Sequence, residues 1–146
     1  MRKTFKNYEL MLGEIVTYYQ LIERDLKLIY LFLFNFRNRT RYTIKDLNFK
    51  GLGEVINSLE ALDLETRHPY FASEDYELLK LLASKRNYYC HYSIMKFAYI
   101  DNFEKSEKFI NSYNELYIDV KKLDNYRKQI ENIRIKLERK IENNRL

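Results

Sequence analysis

Cysteine, proline and glycine are scarce in this chain: one Cys, one Pro and three Gly among 146 residues. The single Cys90 excludes an intrachain disulfide and any cysteine-rich zinc site. With no signal-peptide pattern either, the expected compartment is the cytoplasm. So few turn residues cannot serve the many tight connections of a sheet protein. Long apolar runs are missing too. The most apolar stretch, Leu28 to Phe34, is far too short to cross a bilayer, and Glu23, Arg24, Asp25 and Lys27 precede it on the same helix. It reads as core, and no membrane partner is expected. Histidine is rare as well, with only His68 and His91. His68 precedes Pro69 with no Cys, Asp or Glu at metal-ligand spacing, so it reads as a surface residue; neither metal nor cofactor is expected.

What is present is a helical pattern. Tyr8, Leu12, Ile15, Tyr19, Ile22, Leu26, Ile29, Leu33 and Phe36 follow at alternating steps of four and three, one apolar stripe on a long helix. Polar Asn35 to Thr40 ends it, and 41–50 reads as a connector. Gly51-Leu52-Gly53 opens a shorter helix carrying Leu52, Val55, Ile56, Leu59 and Leu62, and His68-Pro69 breaks the chain again. Ser73 is placed as the N-cap of a third helix running from about Glu74 to about Tyr99, with Leu78, Leu79, Leu81 and Leu82 on its early faces. Asp101-Asn102 marks a turn. From Phe103 onward Phe109, Tyr113, Leu116, Val120, Leu123, Ile130, Leu137 and Ile141 keep a helical period, with Asp124-Asn125 as the one candidate interruption. The expected fold is all-α: an antiparallel up-and-down bundle of four main helices with an extended last helix, in a single domain over 1–146. The last helix is longer than a four-helix core needs, so its end is expected to project, pack on a partner subunit or fray.

Charge is unevenly placed. The net +5 arises after residue 120: residues 1–120 hold 17 Lys and Arg against 17 Asp and Glu, whereas 121–146 hold nine against four (9 − 4 = +5). This makes about 126–146 a basic helical extension. A smaller cluster runs through Arg37, Arg39, Arg41, Lys45 and Lys50. Such stripes suit a polyanion such as RNA, though they also occur as plain solvated faces.

The residues best suited to chemistry lie in Lys85-Arg86-Asn87-Tyr88-Tyr89-Cys90-His91-Tyr92. On an α-helix Asn87 and His91 are four apart and share a face. Arg86, five before His91, starts well around the cylinder; its side chain either curls back or meets the histidine of a second subunit. An imidazole that exchanges protons near neutral pH, a guanidinium that holds phosphate and an adjacent amide suit phosphodiester chemistry without a metal. Cys90, with no activating partner, reads as a small buried thiol. Tyr88 and Tyr89 suit base stacking or, more often for aromatics beside a helix seam, dimer packing. Together with Tyr92 and Met95 they are the candidate subunit interface.

Arg86-Asn87-x-x-x-His91 resembles the R-N-x-x-x-H signature of HEPN domains, helical proteins found among toxin–antitoxin ribonucleases, abortive-infection proteins and CRISPR-associated effectors. Leu21-Ile22-Glu23-Arg24-Asp25-Leu26-Lys27 is similar to the family's first-helix pattern, and the likeness covers roughly residues 8–125. The resemblance implies a metal-independent endoribonuclease, a toxin or antiphage effector, working as a homodimer with both copies' Arg and His facing across a cleft. His91 would then be general acid or base, Arg86 would stabilise phosphate charge and Asn87 would orient His91 or the substrate, leaving 2′,3′-cyclic phosphate and 5′-hydroxyl ends. Lys85, Tyr88 and Tyr92 would contact RNA. Family toxins silenced by a nucleotidyltransferase antitoxin usually carry a tyrosine two positions after the histidine. Here Ser93 stands there, which argues against silencing by AMP transfer, although another antitoxin protein stays open as a partner. The alternative is a non-catalytic HEPN-like dimerisation or binding module, for example a partner or regulator in a toxin–antitoxin or nucleotidyltransferase system.

Overall fold

The computed structural model describes residues 2–48 and 50–143, so Phe49 of the connector and residues 144–146 of the basic segment lie outside the described residues. Four main helices pack together: α1 (Phe5–Asn38), α2 (Leu52–Asp63), α3 (Ser73–Asn87) and α4 (Glu107–Glu142). No strand occurs among the described residues. The fold is an all-α helical bundle with a long last helix. No helix is long and apolar enough to cross a membrane.

The α1 stripe is the spine of the core. Tyr8, Ile15, Tyr19, Ile22, Leu26 and Ile29 are almost completely enclosed, as their four-and-three spacing requires. Phe36 departs from the stripe and is exposed. Thr4 caps the start by accepting from the Asn7 N–H at 3.2 Å. At the other end Arg39 takes a left-handed conformation, φ 51°, and returns its N–H to Asn35.

Asn35 also decides where the chain goes next. Its side-chain oxygen accepts from the Thr40 hydroxyl at 2.7 Å and the Tyr42 N–H at 3.1 Å, and its amide donates to the Tyr42 carbonyl at 2.8 Å. The connector therefore folds back along α1, with Tyr42 stacked on Phe34 and Lys50 over the Tyr30 ring. A 3₁₀ turn, Ile44–Leu47, lies within it. This return gives the bundle its winding. α2 starts low and runs beside α1 in the same direction, until Glu65 just past its end meets Arg37 at 2.6 Å. α3 comes back down, and α4 rises again along α1: Phe5 meets Phe103, Tyr8 meets Phe109, Tyr18 meets Arg127 and Asp25 meets Arg134. The alternation of up and down thus holds from α2 to α4, and the α1–α2 connection is a crossover.

Four local expectations are corrected. Ser73 is the first helical residue rather than the cap: the Asp75 carboxylate accepts from the Ala72 N–H at 2.9 Å and closes that end. Asp124-Asn125 does not interrupt α4, because Arg127 and Lys128 bond Asp124 along the helix surface. The third helix stops being α-helical at Asn87 and continues as a π-helical turn, Tyr88–Tyr92, and a 3₁₀ turn, Ile94–Lys96. The described part of the basic segment, 126–143, neither projects nor frays, since Ile130 and Leu137 are buried and Arg134 reaches Asp25 at 2.8 Å.

Beyond α2 the chain is tied down by one carboxylate. Asp63, fully buried, accepts from the N–H groups of Tyr70 (2.9 Å) and Phe71 (3.0 Å) and from the Tyr76 hydroxyl (2.6 Å). Burial, reinforced by that bond, holds the Tyr76 phenol well above its ordinary pKa, so it stays a donor. Removing the carboxylate strands three buried donors. Asp63→Ala should cost about 3 kcal/mol or more of unfolding free energy, and Asp63→Asn distinctly less, in urea titrations; a loss under about 1 kcal/mol for Asp63→Ala would show that the loop is held elsewhere.

Candidate functional site

The π turn governs the site. The Ser93 N–H donates to the Tyr88 carbonyl at 2.9 Å, an i→i+5 bond. What sets it is an anchor beneath: Asp119 of α4, nearly buried, accepts hydrogen bonds from the Tyr89 hydroxyl and from the Lys85 ammonium, the latter at 2.9 and 3.2 Å. Burial first, then the bond to Asp119, raises the Tyr89 phenol far above its usual range. Tyr19 adds a bond from its hydroxyl to the Leu82 carbonyl at 2.8 Å. With Tyr89 and Ser93 both pointing inward, the residues between them turn outward.

Cys90 and His91 are accordingly exposed. The buried thiol expected at Cys90 is corrected: a wider turn moves Tyr89, not Cys90, into the core. Tyr89 is likewise unavailable to a subunit interface, whereas Tyr92 (59%), Met95 (56%) and Tyr99 (84%) stand open to solvent. Tyr88 is half-buried and its ring receives Lys96 at 4.6 Å. Lys85, expected on RNA, is spent on Asp119.

Arg86 is half-buried and directs its guanidinium to Glu23 of α1, 3.1 Å away; Glu23 also meets Lys27 at 3.8 Å. Arg86 thus does not curl back on His91 within the chain, and no hydrogen bond or ion pair joins the two. The imidazole meets the Tyr92 ring, 6.1 Å between centroids. His68 is exposed, as expected.

Arg86 and Asn87 instead line an open groove of about 510 Å³ with Lys80 and Ser84 of α3 and with Gly51, Leu52, Gly53 and Asn57 of α2. Its other wall is a helix start. Gly51 is the N-cap of α2 and brings no side chain to take up the N–H groups of the first turn. This wall escaped the sequence reading. Its signal was the run Gly51-Leu52-Gly53, a helix opening without Ser, Thr, Asp or Asn. Among the described residues no cluster of His, Cys, Asp and Glu could hold a metal ion. The chain matches no family model, no curated protein and no solved structure.

If Asp119 sets the π turn, its loss should be felt at Ser93. Asp119→Ala should speed Ser93 amide exchange roughly tenfold or more, with amides near Ile22 in α1 much less affected. Equal acceleration at both places would mean that the substitution loosens the whole bundle and the anchor has no local role.

Proposed function

We propose that the chain is a metal-independent endoribonuclease of HEPN type, acting as a toxin or antiphage effector in the form of a homodimer. The observation that carries the reading is the joint placement of Arg86 and Asn87 on a groove walled by the uncapped start of α2, with His91 exposed one turn further on. A phosphate entering that groove meets a guanidinium, an amide and backbone N–H groups, three donors suited to its oxygens.

The chemistry then needs two proton transfers. An imidazole accepts the proton of the ribose 2′-hydroxyl as that oxygen bonds to phosphorus; the bond from phosphorus to the 5′ oxygen breaks, and the departing oxygen takes a proton. On this reading His91 serves one of these transfers, and the His91 of a second copy supplies the other. Tyr92 and Met95, both exposed, are the apolar surface over which the second copy would sit. Arg86 leaves Glu23 for the phosphate as negative charge develops there. Tyr92 is the aromatic group positioned to touch a base; Tyr88, tied to Lys96, and Lys85, tied to Asp119, serve the site through its framework.

A second reading has its own support. Among the described residues His91 makes no hydrogen bond that would orient its ring, and Arg86 is already satisfied by Glu23. Both fit a helical module that dimerises or binds a partner, such as an antitoxin protein, without cutting RNA.

Activity separates the two. The protein should cleave a tRNA or mRNA pool in EDTA, and His91→Ala and Arg86→Ala should each lower the rate at least a hundredfold while the dimer persists by sedimentation. An inert wild-type protein, or variants that cut as fast as wild type, would leave the binding module as the surviving reading.

A further inference from the structure

The groove leaves the two basic clusters unused, and the fold brings them to one end of the bundle. Arg37 at the close of α1 bonds Glu65 in the loop after α2. The same loop continues through Arg67 to Tyr70, whose ring lies under Lys140 of α4 at 5.3 Å. Clusters about a hundred residues apart in sequence are thus linked through one exposed loop.

The anionic groups at this end are largely committed. Glu65 is taken by Arg37, Asp46 by the Thr43 N–H at 2.7 Å, and Glu138 by Arg134 at 2.8 Å; Glu142 in the last turn of α4 and Glu74 in the first turn of α3 are carboxylates left over among the described residues. Arg39, Arg41, Arg67 and Arg139 are exposed and form no ion pair among the described residues. Aromatic rings stand among them: Phe36 is 55% and Tyr42 53% exposed. The turn that presents them is preorganised by the three hydrogen bonds of the Asn35 side chain, so little conformational freedom remains to be lost on binding. Cations that match a phosphodiester backbone, interleaved with rings on which bases stack, are the features of a single-strand surface.

We propose that this end of the bundle, centred on Phe36–Tyr42 and Arg67, binds single-stranded RNA apart from the Arg86–His91 site. The proposal takes its ligand from the ribonuclease reading but does not require cleavage. Arg86, on the groove, meets Glu23, and Arg37 is 14 residues further along α1, so the surface stands roughly 20 Å from the groove. It therefore contributes affinity for long substrates and leaves the reacting phosphate untouched.

The test uses the full chain carrying His91→Ala, in EDTA, and a fluorescent unstructured 30-nucleotide RNA titrated over a series of KCl concentrations. The variant Arg39→Asn, Arg41→Gln, Arg67→Gln should make the slope of log affinity against log salt shallower by about two, at roughly 0.7 per lost phosphate contact. Lys3→Gln, Lys105→Gln, Lys108→Gln at the opposite end should leave the slope unchanged. Tyr42→Ala, which alters no charge, should weaken binding roughly tenfold at constant slope. Equal slopes for the two triple variants, or no RNA binding even at the lowest salt, would overturn the proposal. A wild-type protein that leaves an RNA pool uncut, together with the predicted slopes, would instead remove the ribonuclease reading and leave the surface standing.

Discussion

The carboxylate of Asp119 is the constraint from which the local architecture follows. It is nearly buried, and a buried carboxylate is tolerated only when its oxygens are taken up. Lys85 and Tyr89 take them up, the first from the last turn of α3 and the second from the π turn that follows it. For Tyr89 to reach Asp119 while Ser93 and Phe97 also turn inward, inward positions must recur in strict steps of four. That interval is longer than the alternating four and three of an α-helix, and the chain meets it by opening one turn to π geometry. The outward positions follow from the same step: Cys90, His91 and Tyr92 emerge together, and Arg86 is left reaching across to α1.

Much of this bundle is legible in the residues alone, where burial follows a regular period. The α1 stripe, the short second helix and the apolar positions of α4 are read directly, because one enclosed face every 3.6 residues leaves a clear mark. The winding is hidden. Periodicity says that a helix exists, not which way its neighbour runs, and here the direction is decided by the amide of Asn35 gripping Thr40 and Tyr42. The π turn is hidden for a related reason. No residue type prefers it, and it arises from a contact between positions 89 and 119. The motif residues were found from their types and spacing, yet only three-dimensional packing could assign Arg86 to Glu23, Lys85 to Asp119 and an uncapped helix start to the opposite wall.

The arrangement sets the two parts of the molecule at different levels of rigidity. Asp63, Asp119 and the Asp25–Arg134 pair tie α4 and the loops to a firm core. Arg86 by contrast holds Glu23 through a partly exposed pair, and such pairs are cheap to exchange for a stronger anion. On the proposed reading, this is how one guanidinium serves the resting fold and then a phosphate. The exposed His91 needs a second element to orient it, and the surface around Tyr92 and Met95 is where that element would dock.

The central claim is that the ribose itself attacks its phosphate, assisted by Arg86 and His91 with no metal. It is tested most directly by the ends of the cut. A defined oligonucleotide digested in EDTA and ¹⁸O-labelled water should leave a 2′,3′-cyclic phosphate without label, and a single 2′-deoxy substitution at the scissile nucleotide should stop cleavage there. A linear phosphate carrying the label from the outset, or undiminished cutting at the deoxy position, would contradict the account.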